Sequence, residues 1–274
     1  NIEIVIVDDN NPDSEARVET QDIIKKYDNN PKVKYIQLER NSGACVARNK
    51  GIEIANGEYI TFLDDDDEFF EDNIEKKIKY MLEHDYDMIF CDLRVVEDST
   101  GKEIVLKYRK NFELTKEGLL RKHLLDIISG TIAFMYKKQV LINIGGFYNI
   151  PASQEYILML NTILGDYKIG YFEFIGALGH RHGGSTRITG SKKAIEAKKQ
   201  VIKLVKPHLH YLSLKDRRKV LFRLNLFIAL QYWRHKDVNF ILYGFKLIPY
   251  LDLLVAKVLK KGKNKQDKEN IIYF

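Results

Sequence analysis

Residues 59–72, Y-I-T-F-L-D-D-D-D-E-F-F-E-D, constrain this chain more than any other stretch. Residues 58–63 are a short apolar run rich in β-formers, which reads as a buried strand. The run empties into consecutive aspartates, Asp64 to Asp67. Carboxylates this close repel one another unless a cation sits among them. A divalent metal on carboxylate oxygens, with its other positions left to water and substrate phosphates, would relieve that repulsion. The plainer alternative is a solvated acidic turn leading into a helix at about 73–83. Position favours a ligand, because open α/β sheets bind ligands just beyond the carboxyl ends of their strands. A calcium loop fits poorly. Asp64, Asp66, Glu68 and Glu75 fall near its spacing, but Phe69 stands where the turn needs glycine, and a strand precedes it instead of a helix.

The rest of the first half alternates regularly. Residues 2–7 (I-E-I-V-I-V) are nearly all β-branched, as in a parallel strand buried on both faces. D-D-N-N-P-D at 8–13 is a turn rich in side chains that bond their own backbone. A helix over 14–27, a strand over 33–38 and a helix from Asn41-Ser42-Gly43 to Ala55 lead to the strand before the acids. A further buried strand is expected at 87–93. This alternation predicts an α/β fold: a mostly parallel, Rossmann-like sheet flanked by helices, with right-handed crossovers.

Beyond Val95 the pattern loosens. An edge strand is expected at 103–108, an amphipathic helix at 116–128 and a strand at 131–136. Gly145-Gly146-Phe147 reads as a tight turn needing positive φ. A helix at 154–164 has Ile157, Leu160, Ile163 and Leu164 on an inward stripe. A strand at 168–175 precedes the glycine-rich basic loop 179–187.

From about Ser191 the sequence reads as helical. Segments 214–233 and 238–259 interleave apolar residues with Arg217, Arg218, Arg223, Arg234, Lys246 and Lys257. The net charge is +6, with acids gathered before Asp98 and bases over 192–268. That asymmetry suggests an anionic surface as partner. The aromatics follow a helix face and do not form a stacking platform, so a membrane surface is preferred to nucleic acid. The plainer alternative is a pair of helices packed on the core. No apolar run reaches the roughly 18–20 residues of a membrane span, and no signal-peptide pattern opens the sequence as given. Cys45 and Cys91 lie in apolar surroundings without zinc or disulfide spacing, so they are expected reduced, in a cytoplasmic protein on the inner face of the membrane. The expected division is a catalytic domain at 1–190, a basic helical region at 191–261 and a polar tail at 262–274.

Several segments together resemble the inverting nucleotide-sugar glycosyltransferases of family 2, which have the GT-A fold. They are V-D-D-N-N at 7–11, N-S-G-A-C-V-A-R-N-K-G at 41–51 and G-E-Y-I-T-F-L-D-D-D-D at 57–67. G-G-F at 145–147, S-Q-E-Y-I-L-M-L at 153–160 and R-H-G-G-S at 181–185 follow in the family's order. The resemblance covers about 1–187. Family members normally start one strand and one crossover helix earlier, so this sequence is expected to begin inside its domain.

The resemblance implies the following roles. Asp9 matches the acid that bonds the nucleotide base, with Asp8 as a turn-forming Asx residue. Asp64-Asp65-Asp66 matches D-x-D, in which Asp66, with Asp64, would bind Mn²⁺ or Mg²⁺ and Asp64 or Asp65 would face the ribose. Arg48 and Asn49 lie on the helix pointing at the nucleotide, with Arg48 alternatively a surface residue. Glu155 matches the catalytic base, where the family more often has aspartate. Arg181 and His182 would stabilise phosphate charge or ligate the metal, phosphate contact being favoured. The implied reaction moves a sugar, from a UDP-sugar by expectation, to a hydroxyl of a glycan or lipid-linked acceptor in envelope polysaccharide synthesis. Nothing pairs with Glu155 as a glycosidase would require. Two rivals are a nucleotidyltransferase of related fold and a catalytically inactive, membrane-tethered scaffold.

Overall fold

The structure is a computed structural model, and it describes residues 1–108, 112–128, 130–181, 192–253, 255 and 271–273. The elements in order are β1 (Ile4–Asp8), α1 (Glu15–Ile24), β2 (Val33–Gln37), α2 (Ala44–Ile54), β3 (Tyr59–Thr61) and β4 (Glu68–Phe69). Next come α3 (Asn73–His84), β5 (Met88–Glu97), β6 (Lys102–Lys107), α4 (Lys116–Asp126), β7 (Phe134–Lys137), α5 (Lys138–Asn143) and α6 (Gln154–Leu164). The chain continues through β8 (Ile169–Arg181), α7 (Lys192–Val205), α8 (Leu214–Arg234), α9 (Asn239–Phe245) and β9 (Ile271–Tyr273).

The α/β architecture with a helical C-terminal region is the expected one. Strands β1 and β2 pair in parallel as a sheet of their own, Ile4 opposite Val33. The main sheet runs β3-β7-β5-β6-β9, and β8 pairs with β5 and β4. Its pairings are mixed where the alternation implied mostly parallel ones. Strands β5–β8 and β6–β9 are parallel, while β3–β7, β4–β8, β5–β6 and β5–β7 are antiparallel. At β5–β6 the reason is connection length. A parallel pair needs a crossover of about a dozen residues, whereas residues 98–101 turn β5 straight back into β6, with Gly101 at φ 64°.

Strand β5 is the spine of the sheet, and Met88 to Cys91 are fully buried. Its register against β8 shifts around Asp92, a bulge that increases local twist. Buried Asp92 accepts bonds there from Tyr108 N at 3.0 Å and Tyr171 Oη at 2.8 Å. The first half of β5 therefore lies between β7 and β8, and the second half between β6 and the end of β8. That end of β8 is where β4, just after the acid run, returns to pair.

One core joins Phe90, Phe134 and Tyr136 of the sheet to Leu124 and Leu158 of the helices, and includes Val201 and Val205 of α7 with Val220 and Leu224 of α8. Arg223 of α8 donates to Leu124 O at 2.5 Å and to Leu125 O. These are carbonyls at the end of α4 that would otherwise lack intrahelical partners. A smaller cluster packs Phe222, Leu226 and Ile228 against Ile195, Tyr243 and Leu247. Among the described residues, no helix is long and apolar enough to cross a membrane. Lys257 and residues 262–270 of the expected tail lie outside the described residues, while 271–273 form β9 beside β6.

Candidate functional site

The acid run is a turn closed by Asp67 N donating to Asp64 O at 3.1 Å. Its carboxylates go separate ways. Asp67 points inward and accepts from His180 N of β8 at 2.9 Å. Burial pushes its carboxyl above the usual range, against that bond. Asp65 and Asp66 are exposed. Asp64 accepts from Arg48 Nη2 of α2 at 2.5 Å. Arg181 ends β8 one residue beyond the anchor of Asp67, so it lies at the same sheet end as the acids. His182 and the loop after it lie outside the described residues. The His180 ring sits between Asp98 (Nδ1–Oδ1 2.9 Å) and Glu68 (Nε2–Oε1 3.5 Å). Its bond to Asp98 holds the imidazole above its ordinary pKa.

Arg48 reaches in two directions. Its Nη1 donates to Gln154 Oε1 at 2.8 Å, and its guanidinium lies 5.3 Å from the Phe147 ring centroid. Phe147 is held edge-on to Phe62 at 5.1 Å, and a turn with Gly145 at φ 78° and Gly146 at φ 66° delivers it there. Asn49 fixes that turn, accepting from Phe147 N at 2.8 Å and donating to Phe147 O at 2.9 Å. A Cβ at Gly146 would collide with the Asn49 amide, so this glycine provides close approach as well as backbone freedom. Arg48 and Asn49 are adjacent on one helix and diverge: Arg48 faces the acids, and Asn49 holds a turn.

Glu155 is in the first turn of α6 and half-buried. Among the described residues its carboxylate has no hydrogen-bond or ion-pair partner. Ser153, before the helix, has left-handed backbone at φ 65°, ψ 33°. For a residue with a side chain this is a strained conformation, and such strain clusters at functional sites. Cys45 of α2 and Lys198 of α7 are in electrostatic reach of Glu155.

At the end of β1, Asp8 is the Asx-turn residue, accepting from Asn10 N at 2.9 Å. It is buried, bonded by Tyr35 Oη at 2.6 Å and paired with Arg17 Nε at 3.1 Å. Burial, with the Asp8 bond second, pushes the Tyr35 hydroxyl up to about 12. Asp9 accepts from Ser42 N and Gly43 N, each at 2.7 Å. Both its oxygens thus hold the turn that opens α2.

For a divalent cation the donor chemistry fits. Exposed carboxylate oxygens suit a hard ion that takes one or two protein ligands and completes its shell with phosphate and water. No group of three or more His, Cys, Asp or Glu able to hold a metal occurs among the described residues. Asp64 pairs with Arg48, and exposed Asp66 stands beside it as a further candidate ligand.

Sequence reasoning missed Gln154, Lys198 and the turn-holding part of Asn49. Gln154 could have been suspected from its place beside Glu155. Lys198 lies far along the chain on a helix read as tail, and no local signal marks it.

Residues 1–145 match the family described as Glycosyl transferase family 2. Over 82 residues the chain is 43% identical to the putative teichuronic acid biosynthesis glycosyltransferase TuaG of Bacillus subtilis (strain 168), covering 30% of this chain and 31% of that protein. Over 173 residues it is 30% identical to the uncharacterized glycosyltransferase MJ1057 of Methanocaldococcus jannaschii, covering 62% and 57%. The chain thus spans 31% to 57% of the length of these curated relatives. Residues 1–349 of S. aureus TarS, solved in complex with UDP-GlcNAc, superpose with a TM-score of 0.56 at 17% identity, over 86% of this chain and 79% of that one. The likeness is one of fold, and the fold is GT-A. Since the family match takes in more than half of its residues, the chain belongs to glycosyl transferase family 2.

Proposed function

We propose that this protein is an inverting glycosyltransferase that moves a sugar from a UDP-sugar to a hydroxyl of a glycan or lipid-linked acceptor in envelope glycan synthesis. One observation carries the reading. A single guanidinium, Arg48, ties Asp64 of the acid run to Gln154, the neighbour of Glu155. A donor end and a candidate base therefore share one site. The similarity to TuaG, described as a putative teichuronic acid biosynthesis glycosyltransferase, and to TarS, solved with UDP-GlcNAc, supports the substrate class.

Mn²⁺ or Mg²⁺ on Asp66, with Asp64 beside it, would supply Lewis-acid stabilisation of the departing diphosphate. Asp65 faces the ribose, and Arg181 adds positive charge toward the phosphates. Asp9, through the amides of Ser42 and Gly43, shapes the wall against which the base lies. Glu155 takes the proton of the acceptor hydroxyl. The acceptor oxygen then bonds to the anomeric carbon as the bond from that carbon to the phosphate oxygen breaks on the opposite face, which inverts the centre.

The C-terminal helices support a second element of the proposal, peripheral attachment to the inner face of an anionic membrane. Phe222 and Leu226, apolar residues of the segment 214–233, are buried, so this part of α8 packs as in the plainer alternative. Beyond it, Trp233, Val238, Ile241, Leu242, Phe245 and Ile248 are exposed, and Arg234, Lys236 and Lys246 lie among them in sequence. Apolar residues and cations together suit an anionic interface.

The test is release of nucleoside diphosphate from a panel of nucleotide sugars in Mn²⁺, with Glu155→Gln as control. UDP release with one sugar, lost in the control, is expected. Pyrophosphate release would favour the nucleotidyltransferase, and no release with any donor would favour the scaffold.

A further inference from the structure

Helix α7 belongs to the region read as a tail, yet one of its side chains enters the site. Lys198 Nζ lies 3.3 Å from Ser153 Oγ, and the ammonium is 5.1 Å from the Phe227 ring centroid. It has no ion-pair partner among the described residues. Among the described residues this half-buried cation is held by a hydroxyl and a ring face, which under-compensates it, because a buried charge ordinarily finds an opposite one. The acid in electrostatic reach is Glu155, whose carboxylate has no hydrogen-bond or ion-pair partner among the described residues. Ser153, the contact between them, holds the strained left-handed backbone that sets where α6 begins.

We propose that Lys198 is a positioning residue for Glu155: through Ser153 it fixes the start of α6 and so the direction in which the carboxylate points. The start of α6 is thus clamped from two sides. Arg48 of α2 holds Gln154, and Lys198 of α7 holds Ser153. Glu155 stands just inside the clamp. Other charged or titratable groups around the pair are Cys45 of α2, which faces Glu155, and Arg223 of α8, which faces Lys198. Burial and Arg223 push the Lys198 ammonium below the usual lysine range, and Glu155 opposes them. This inference rests on Glu155 being the base of the proposed reaction.

The test uses the full chain with Lys198→Met, Lys198→Arg and Ser153→Gly. Transfer is read as kcat and as acceptor KM, and donor binding as UDP affinity. Lys198→Arg keeps a donor to Ser153 and holds kcat near that of the wild type. Loss of aim lowers kcat about 10- to 100-fold in Lys198→Met, with UDP affinity unchanged. Ser153→Gly keeps the left-handed backbone and removes the hydroxyl, so it lowers kcat without lowering the thermal midpoint. If Lys198→Met fails to fold, Lys198→Arg and Ser153→Gly decide.

Full kcat in a folded Lys198→Met, or in Ser153→Gly, overturns the inference. A wild type that turns over no nucleotide sugar removes the proposed function instead, and the inference with it.

Discussion

Arg48 Nη2 and Asp64 Oδ1 are 2.5 Å apart, an ion pair that fastens α2 to the acid turn, and the same guanidinium carries Gln154 on its other arm. A planar fork can serve both partners, whereas an ammonium on a flexible stem meets them as a point charge. Arg48→Lys should therefore keep the charge and lose one of the two bonds. A hydrogen bond to a charged group contributes about 1.5–3 kcal/mol to stability, so the melting temperature should fall, and UDP affinity should weaken as the acid turn loosens. Calorimetry with UDP reads this, and unchanged affinity would leave Arg48 with a structural part alone.

Neighbouring aspartates should behave differently. Asp66→Ala should abolish transfer and the UDP-dependent rise in melting temperature in Mn²⁺, with little effect on the unliganded protein, because Asp66 is exposed. Asp67→Ala removes the acceptor of the His180 amide and should lower the unliganded melting temperature. Leaving a buried donor unpaired costs about 1–3 kcal/mol. Near-normal turnover by Asp66→Ala would remove it from the metal site.

Glu155→Gln keeps the shape and cannot accept a proton. Loss of a general base costs about 10²–10⁴-fold, so transfer should fall by that order while UDP binding survives. Collapse of donor affinity instead would assign Glu155 to the donor side.

Two histidines give opposite pH dependences of stability. Fully buried His123 meets Tyr156 O through Nε2 at 2.9 Å, and its Nδ1 accepts from Ile128 N at 3.2 Å, which fixes a neutral ring. Burial pushes its pKa from 6.5 down to about 3. Between those values the unfolded chain binds the extra proton, so stability falls as pH falls, by up to about 1.4 kcal/mol per pH unit. His123→Phe should flatten that slope in urea titrations at pH 5 and pH 7. His180, raised by Asp98, has the other sign: its contribution is present below pH 6.5 and lost as pH rises through the raised value. His180→Gln should remove that second dependence. A slope unchanged in His123→Phe would mean that other groups set it.

The membrane proposal is testable without truncation. Trp233 and Phe245 are 66% and 64% exposed, so replacing both by serine should leave the melting temperature nearly unchanged. Binding to anionic vesicles should drop sharply, neutral vesicles should bind weakly throughout, and salt should release part of the wild type, since each basic residue contributes about 1 kcal/mol near such a surface. Equal co-sedimentation of variant and wild type would leave these helices with packing alone.

Much of this was legible from residues 1–164. The strand at 33–37, the helix over 154–164 and the positive φ of Gly145 and Gly146 all carry local signatures: β-branched runs, helical periodicity and paired glycines. The Asx turn at Asp8 was legible for the same reason. Sheet direction was not, because it depends on which strand a short connection returns to, as at β5–β6. Nor was the division of labour among the aspartates. Identical side chains in a row carry no mark of which will turn inward to His180, which will meet Arg48 and which will stay in water. The contact between Lys198 and Ser153 spans 45 residues of chain, and no periodicity registers it.

Arg223 of α8 closes the end of α4, and α4 in turn holds His123 against the backbone of Tyr156, next to Glu155. The C-terminal helices therefore do not make an exchangeable cassette. A chimaera that joins residues 1–190 to the tail of another protein would open the end of α4 and remove Lys198 in the same cut. Recombination between such proteins would have to exchange α4, α6, α7 and α8 together.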